Sequence, residues 1–146
     1  MALADTNIWL ALALSEHALH AVVRSWFARQ TSSDHVLFCR LTQQSFLRLL
    51  TTESVLAPYG IPPLTNTVAW SIYEEFRADE RVSWMEEPRN FELHWKRLSS
   101  GNKSSPKLWM DAYLAALAIA GKNRLVTTDK GFGQFNGLDL ILLTSE

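Results

Sequence analysis

The chain has 146 residues, 47% of them hydrophobic and 20% charged, a balance that excludes a disordered or low-complexity protein. That length predicts one domain spanning residues 1–146, able to bury roughly 70% of its unfolded surface without staples. The net charge of −1 excludes the strong positive balance of an extensive nucleic-acid binder, yet leaves room for a local basic rim.

In chain order, Met1 to Asp5 is a short apolar segment before a polar break. It carries no basic residue ahead of the apolar run Ile8 to Leu14, and so makes a poor signal peptide. Leu19, Val22, Val23, Trp26 and Phe27 repeat at the spacing of one helix face. Val36 to Cys39 has the pattern of a buried strand. Cys39, the single cysteine, excludes an intramolecular disulfide, fits a reducing cytoplasmic compartment, and reads as a small core residue. Phe46, Leu49 and Leu50 mark the inner face of the next helix.

The segment Ala57 to Pro63 holds three prolines and Gly60 and predicts a loop. A helix is expected over Asn66–Asp79 and a strand over Val82–Met85. Pro88 suits a first helical position, ahead of the apolar stripe Phe91, Trp95 and Leu98. Ser99 to Ser105 is polar loop. Trp109 to Ala120 is apolar nearly all round and predicts a helix buried on most sides. The longest uninterrupted apolar run, Ala112 to Ala120, falls short of the ~18–20 residues a membrane-spanning helix needs, so a soluble protein without a membrane partner is expected. Leu125–Thr127 and Leu138–Leu143 are the last strands.

Five strands separated mostly by helices imply an α/β fold: a central parallel sheet in three layers. Ligands bind such sheets beyond the carboxyl ends of the strands, which draws attention to Asp5, residues 40–44 and Asp129. Asp111 is the only charged residue between Lys107 and Lys122, early in an apolar helix. Lone buried carboxylates are costly. Several brought together repel one another and raise each other's pKa, a penalty that a divalent cation removes. All-oxygen ligands favour Mg²⁺ or Mn²⁺, and such an ion serves phosphodiester hydrolysis by acidifying water and stabilising phosphoryl charge. Simpler roles stand beside this one: Asp5 as a helix cap, Asp129 as a turn former before Gly131, and Asp111 as a helix-terminal charge with a basic partner.

Asp5-Thr6-Asn7, the segment Cys39 to Leu50, Trp109-Met110-Asp111-Ala112 and the segment Leu125 to Phe132 together resemble the PIN-domain family, and within it the VapC toxins of bacterial toxin–antitoxin pairs. The likeness runs through the whole chain in order. It implies a three-layer PIN-like domain with an acidic pocket at the carboxyl edge of about five parallel strands. It also implies Mg²⁺-dependent endoribonuclease activity on tRNA or other structured RNA, a VapB-like antitoxin that occludes the site, and a homodimer. By motif position, Asp5, Asp111 and Asp129 are the catalytic and metal-site acids, and Asn7 and Thr127 are polar supports. Similar proteins carry a glutamate about where Gln43 stands. Gln43 offers a carbonyl oxygen without charge, so metal affinity should fall; Glu53, ten residues on, is too far to replace it. Arg40, Lys107 and Lys130, with Lys103, are candidate contacts to RNA phosphates.

Two rival functions remain in view. A PIN-like domain without cleavage would bind protein or RNA, and Gln43 is its main support. A phosphatase of the haloacid-dehalogenase type would also place a nucleophile at Asp5, but it needs a second aspartate where Asn7 stands. The four histidines lack zinc-site spacing.

Overall fold

The computed structural model describes residues 1–145. Among them, β1 (Ala2–Ala4), β2 (Val36–Phe38), β3 (Val82–Trp84), β4 (Arg124–Thr127) and β5 (Leu140–Leu142) form one sheet in the order β3-β2-β1-β4-β5. Every neighbouring pair is parallel. The helices are α1 (Thr6–Ala13), α2 (His20–Ala28), α3 (Arg40–Leu50), α4 (Glu53–Leu56), α5 (Asn66–Ala78), α6 (Phe91–Ser99) and α7 (Leu108–Ala120).

Each strand serves two cores because side chains alternate across a sheet. Ala2, Ala4, Val36, Phe38, Val82 and Val126 face one cluster with Trp9 of α1, Phe46 and Leu50 of α3, and Tyr73 of α5. Leu3, Leu37 and Leu125 face the other, built on Ala112, Ala115, Leu117 and Ala118 of α7. Burial on both sides explains why the strands read as continuous apolar runs. Trp9 and Phe38 stack with ring centroids 3.8 Å apart, tying α1 to the sheet. The three-layer arrangement with a parallel sheet is the one expected.

Three local expectations are corrected. Pro88 does not open the following helix: α6 begins at Phe91, whose N–H donates to the Pro88 carbonyl at 3.1 Å, so the proline sits in the preceding turn. The stretch after α3 is not all loop. It holds α4 and a 3-10 turn over Ala57–Tyr59, closed by Gly60 at a left-handed φ of 70°. Helix α7 is buried at Ala112 and from Leu114 to Ala118, but Trp109 and Met110 are 55% and 52% exposed. The helix runs opposite to the strand it precedes, so its first turn stands at the carboxyl edge of the sheet.

Candidate active site

A parallel sheet delivers every strand's outgoing residues to one edge, and the polar groups gather there. Asp5 follows β1 directly and is the N-cap of α1. Its Oδ1 accepts the Thr6 N–H at 2.7 Å, and its Oδ2 accepts the Thr127 hydroxyl at 2.8 Å. The Thr127 oxygen in turn accepts the Asp129 N–H at 3.0 Å. Asp129 Oδ1 accepts the Gly131 N–H at 2.8 Å, shaping the 3-10 turn over Lys130–Gln134. A side chain at Gly131 would place its Cβ 3.0 Å from that oxygen, so the close approach suits glycine. The capping and turn roles of Asp5 and Asp129 therefore coexist with membership of one hydrogen-bonded line from β1 to β4.

Asp111 reaches the same region from the first turn of α7. Burial pushes the Asp5 carboxyl above its ordinary range. Thr127 and Thr6 hydrogen bonds oppose that rise, and the charges of Asp111 and Asp129 add to it. The Asp111 carboxyl is likewise raised, by burial and then by Asp129. The three aspartates thus feel one another's charge. Among the described residues none has a lysine or arginine nitrogen within 4.0 Å, so the basic partner considered for Asp111 is not formed.

Hard oxygen donors carrying uncompensated negative charge are the donor chemistry of a site for Mg²⁺ or Mn²⁺. The carboxylates do not form a closed cage: among the described residues no three His, Cys, Asp or Glu side chains are grouped tightly enough to grip an ion. The residues fit such an ion by charge and donor type.

The other expected site residues are placed unevenly. Thr127 is fully buried and central to the line. Gln43 is 6% exposed in the first turn of α3, with its Oε1 accepting Arg40 Nη1 at 2.6 Å. Asn7 is exposed on α1 and makes no side-chain hydrogen bond to the aspartates, because α1 turns it away from the face that carries Ile8 and Trp9 inward. Arg40 opens α3, while Lys107 caps α7 and Lys130 follows Asp129; all three are exposed, as is Lys103. Glu53 is exposed at the start of α4. Trp84 and Arg77 escaped the sequence reading, yet they stand beside Arg40: the two guanidinium carbons lie 4.7 and 5.3 Å from the Trp84 ring centre. The spacing of Tyr73 and Arg77 on one helix face was a faint signal; their meeting with Arg40 depends on β2 pairing with β3.

The fold and its acidic edge define a three-layer α/β protein with aspartates gathered beyond its parallel strands. The chain belongs to the PIN-domain family, whose model matches residues 2–138. It is 49% identical over 144 residues to Ribonuclease VapC41 of Mycobacterium tuberculosis, covering 98% of this chain and 99% of that relative. It is 30% identical to Ribonuclease VapC44 of the same species over 132 residues, or 88% of this chain and 86% of the relative. Among solved structures it is similar to VapBC2 from Rickettsia felis bound to a promoter DNA fragment, with a TM-score of 0.67 and 14% identity over 97% of this chain and 98% of that one. It is also similar to the sarcin-ricin loop cleaving toxin VapC20 of Mycobacterium tuberculosis, with a TM-score of 0.61 and 17% identity over 95% and 99%. At those identities the structural likeness is one of fold. The expected family and fold class are both borne out.

Proposed function

We propose that this protein is a Mg²⁺- or Mn²⁺-dependent endoribonuclease that hydrolyses RNA phosphodiester bonds, acting in the cytoplasm on tRNA or another structured RNA as the toxin of a VapBC-type pair. The observation that carries this is the hydrogen-bonded line from buried Asp5 and Thr127 to exposed Asp129, with Asp111 beside it and, among the described residues, no protein cation within 4.0 Å, in a chain half identical to a named ribonuclease.

Asp5, Asp111 and Asp129 would hold the ion, which when bound supplies water acidification and charge neutralisation at the phosphoryl group. The chain's own residues orient and bind. The Thr127 hydroxyl fixes one oxygen of Asp5 and the Thr6 N–H the other. The Gly131 N–H holds Asp129. Arg40, Lys107 and Lys130, all exposed, are the proposed contacts to RNA phosphates. No covalent intermediate is required: burial pushes the Cys39 thiol up and away from thiolate chemistry.

A VapB-like antitoxin and a second copy of the chain are the proposed partners. The former is supported by the VapBC assemblies among similar folds, from Rickettsia felis and from nontypeable Haemophilus influenzae. Among the described residues no helix is long and apolar enough to cross a membrane.

One observation favours a second reading, a binding module without cleavage: Gln43 is neutral, and its amide oxygen is engaged by Arg40. Incubating a total tRNA pool with the protein in Mg²⁺ or Mn²⁺, in EDTA, and with identically purified Asp5→Asn separates the two. Cleavage that needs the ion and disappears in Asp5→Asn supports the nuclease. Equal behaviour of wild type and variant across several RNAs and metals refutes it and leaves the binding module.

A further inference from the structure

The carboxyl edge of the sheet is electrically divided. Beyond β1 and β4 stand the aspartates. Beyond β3 and β2, a hollow of about 320 Å³ is lined by Arg40, Gln43, Tyr73, Arg77 and Trp84. The two arginines share the indole of Trp84, at 4.7 and 5.3 Å from its centre. Arg77 Nη1 donates to the Tyr73 hydroxyl at 2.9 Å and Arg40 Nη1 to Gln43 Oε1 at 2.6 Å. The indole N–H of Trp84 donates to Glu86 Oε1 at 2.8 Å, which fixes the ring and puts one carboxylate at the rim.

Stacking and neutral hydrogen bonds position both guanidiniums without cancelling their charge. Among the described residues neither has a carboxylate within 4.0 Å; the ion pairs lie elsewhere, at Arg81–Asp79, Arg124–Asp34 and the N-terminus with Asp34. Two cations held on one ring repel each other until an anion enters. Planar guanidinium forks match phosphate oxygens. Gln43 acquires a reason here. A glutamate in its place would accept the same hydrogen bond and neutralise Arg40; the amide keeps the hollow cationic.

We infer that this hollow is a phosphate subsite, in which Arg40 and Arg77 together hold one backbone phosphate of an RNA strand whose neighbouring phosphate lies at the aspartates. The placement favours RNA over an acidic protein segment. Trp84 and Arg40 leave the sheet one to two strand spacings, about 5–10 Å, from Asp5, so a strand crossing the acidic centre continues over the hollow. The inference rests on the ribonuclease reading.

The test uses Asp5→Asn as a cleavage-silent parent and measures its affinity for a tRNA pool without divalent ions across a KCl series. Arg77→Gln in that parent is expected to weaken binding several-fold and to lower the slope of log K against log salt by part of the roughly 0.7–0.9 that one phosphate contact contributes. Arg77→Lys, which keeps the charge, should restore the slope, and Gln43→Glu should lower it. Exposed Arg29→Gln, at the end of α2 leading to the opposite edge of the sheet, should leave it unchanged. The subsite is overturned if Arg77→Gln keeps the parent's slope, if Arg29→Gln lowers it equally, or if Arg77→Gln loses only poly-glutamate binding, which would assign the hollow to an acidic protein segment. Failure of the wild type to cleave, with the slope change intact, would sink the nuclease reading and leave the phosphate subsite standing.

Discussion

Thr127→Val isolates the hydrogen-bonded line that joins β1 to β4. The site is fully buried, and valine keeps the shape while removing the hydroxyl. Two bonds disappear: donation to the Asp5 carboxylate at 2.8 Å and acceptance from the Asp129 N–H at 3.0 Å. A bond to a charged group contributes about 1.5–3 kcal/mol and a neutral one about 0.5–1.5 kcal/mol, so the substitution should cost about 2–4.5 kcal/mol, a large part of a typical domain's stability. Thr127→Ser keeps the hydroxyl and should lose about 0.8 kcal/mol for its methyl group. The cost also has a pH signature. The Thr127 bond lowers an Asp5 pKa that burial raises, so its contribution is present where Asp5 is ionised and fades as pH falls through that raised value. Urea unfolding of the metal-free protein at pH 8 and at a pH below the ordinary aspartate value of about 3.9 measures both effects. A valine cost equal to that of serine, or one identical at the two pH values, would refute the assignment.

Four further outcomes follow from the same geometry. Asp5 and Asp111 have carboxyls raised above their unfolded values, so their contribution is full below the unfolded value, about 3.9, and is lost as pH rises through the folded one. Thermal melts in EDTA should therefore show Asp5→Asn losing less stability than wild type between pH 4 and pH 7. Mg²⁺ at a hundred times its dissociation constant should add about 2.7 kcal/mol to wild-type stability by linkage; calorimetry should show that gain abolished in Asp111→Asn and Asp129→Asn. Gln43→Glu adds a fourth carboxylate at the carboxyl edge and should lower the Mg²⁺ concentration giving half-maximal cleavage, even as it competes for Arg40. Phe38→Ala, which removes the ring stacked 3.8 Å from Trp9, should cost about 3–5 kcal/mol in chemical denaturation.

Much of the architecture was legible because it is written in local patterns. The short runs at Val36–Phe38 and Leu125–Thr127 read as strands buried on both faces, and the resulting fold class directs attention to the carboxyl edge. Asp5 and Asp129 stand out as polar residues leaving such strands, and Asp111 as a charge in an apolar helix. Where local pattern misled, geometry beyond the element was responsible. Pro88 satisfies the rule for a helix start but is used in the turn before one. Trp109 and Met110 continue the apolar run of α7 but stand exposed in its first turn.

The sequence by itself determined the parallel α/β class and singled out the three aspartates as candidates, since strand and helix periodicities and the cost of a lone carboxylate operate within a few residues. Only the tertiary structure decided what those groups touch. Thr127 reaches Asp5 across 122 positions because β4 pairs with β1. Asn7, adjacent in sequence to the same site, turns outward on α1. Arg40 and Arg77 share Trp84 because β3 pairs with β2. Strand adjacency is set by how both apolar faces are buried at once, a property of the whole chain that no local spacing encodes.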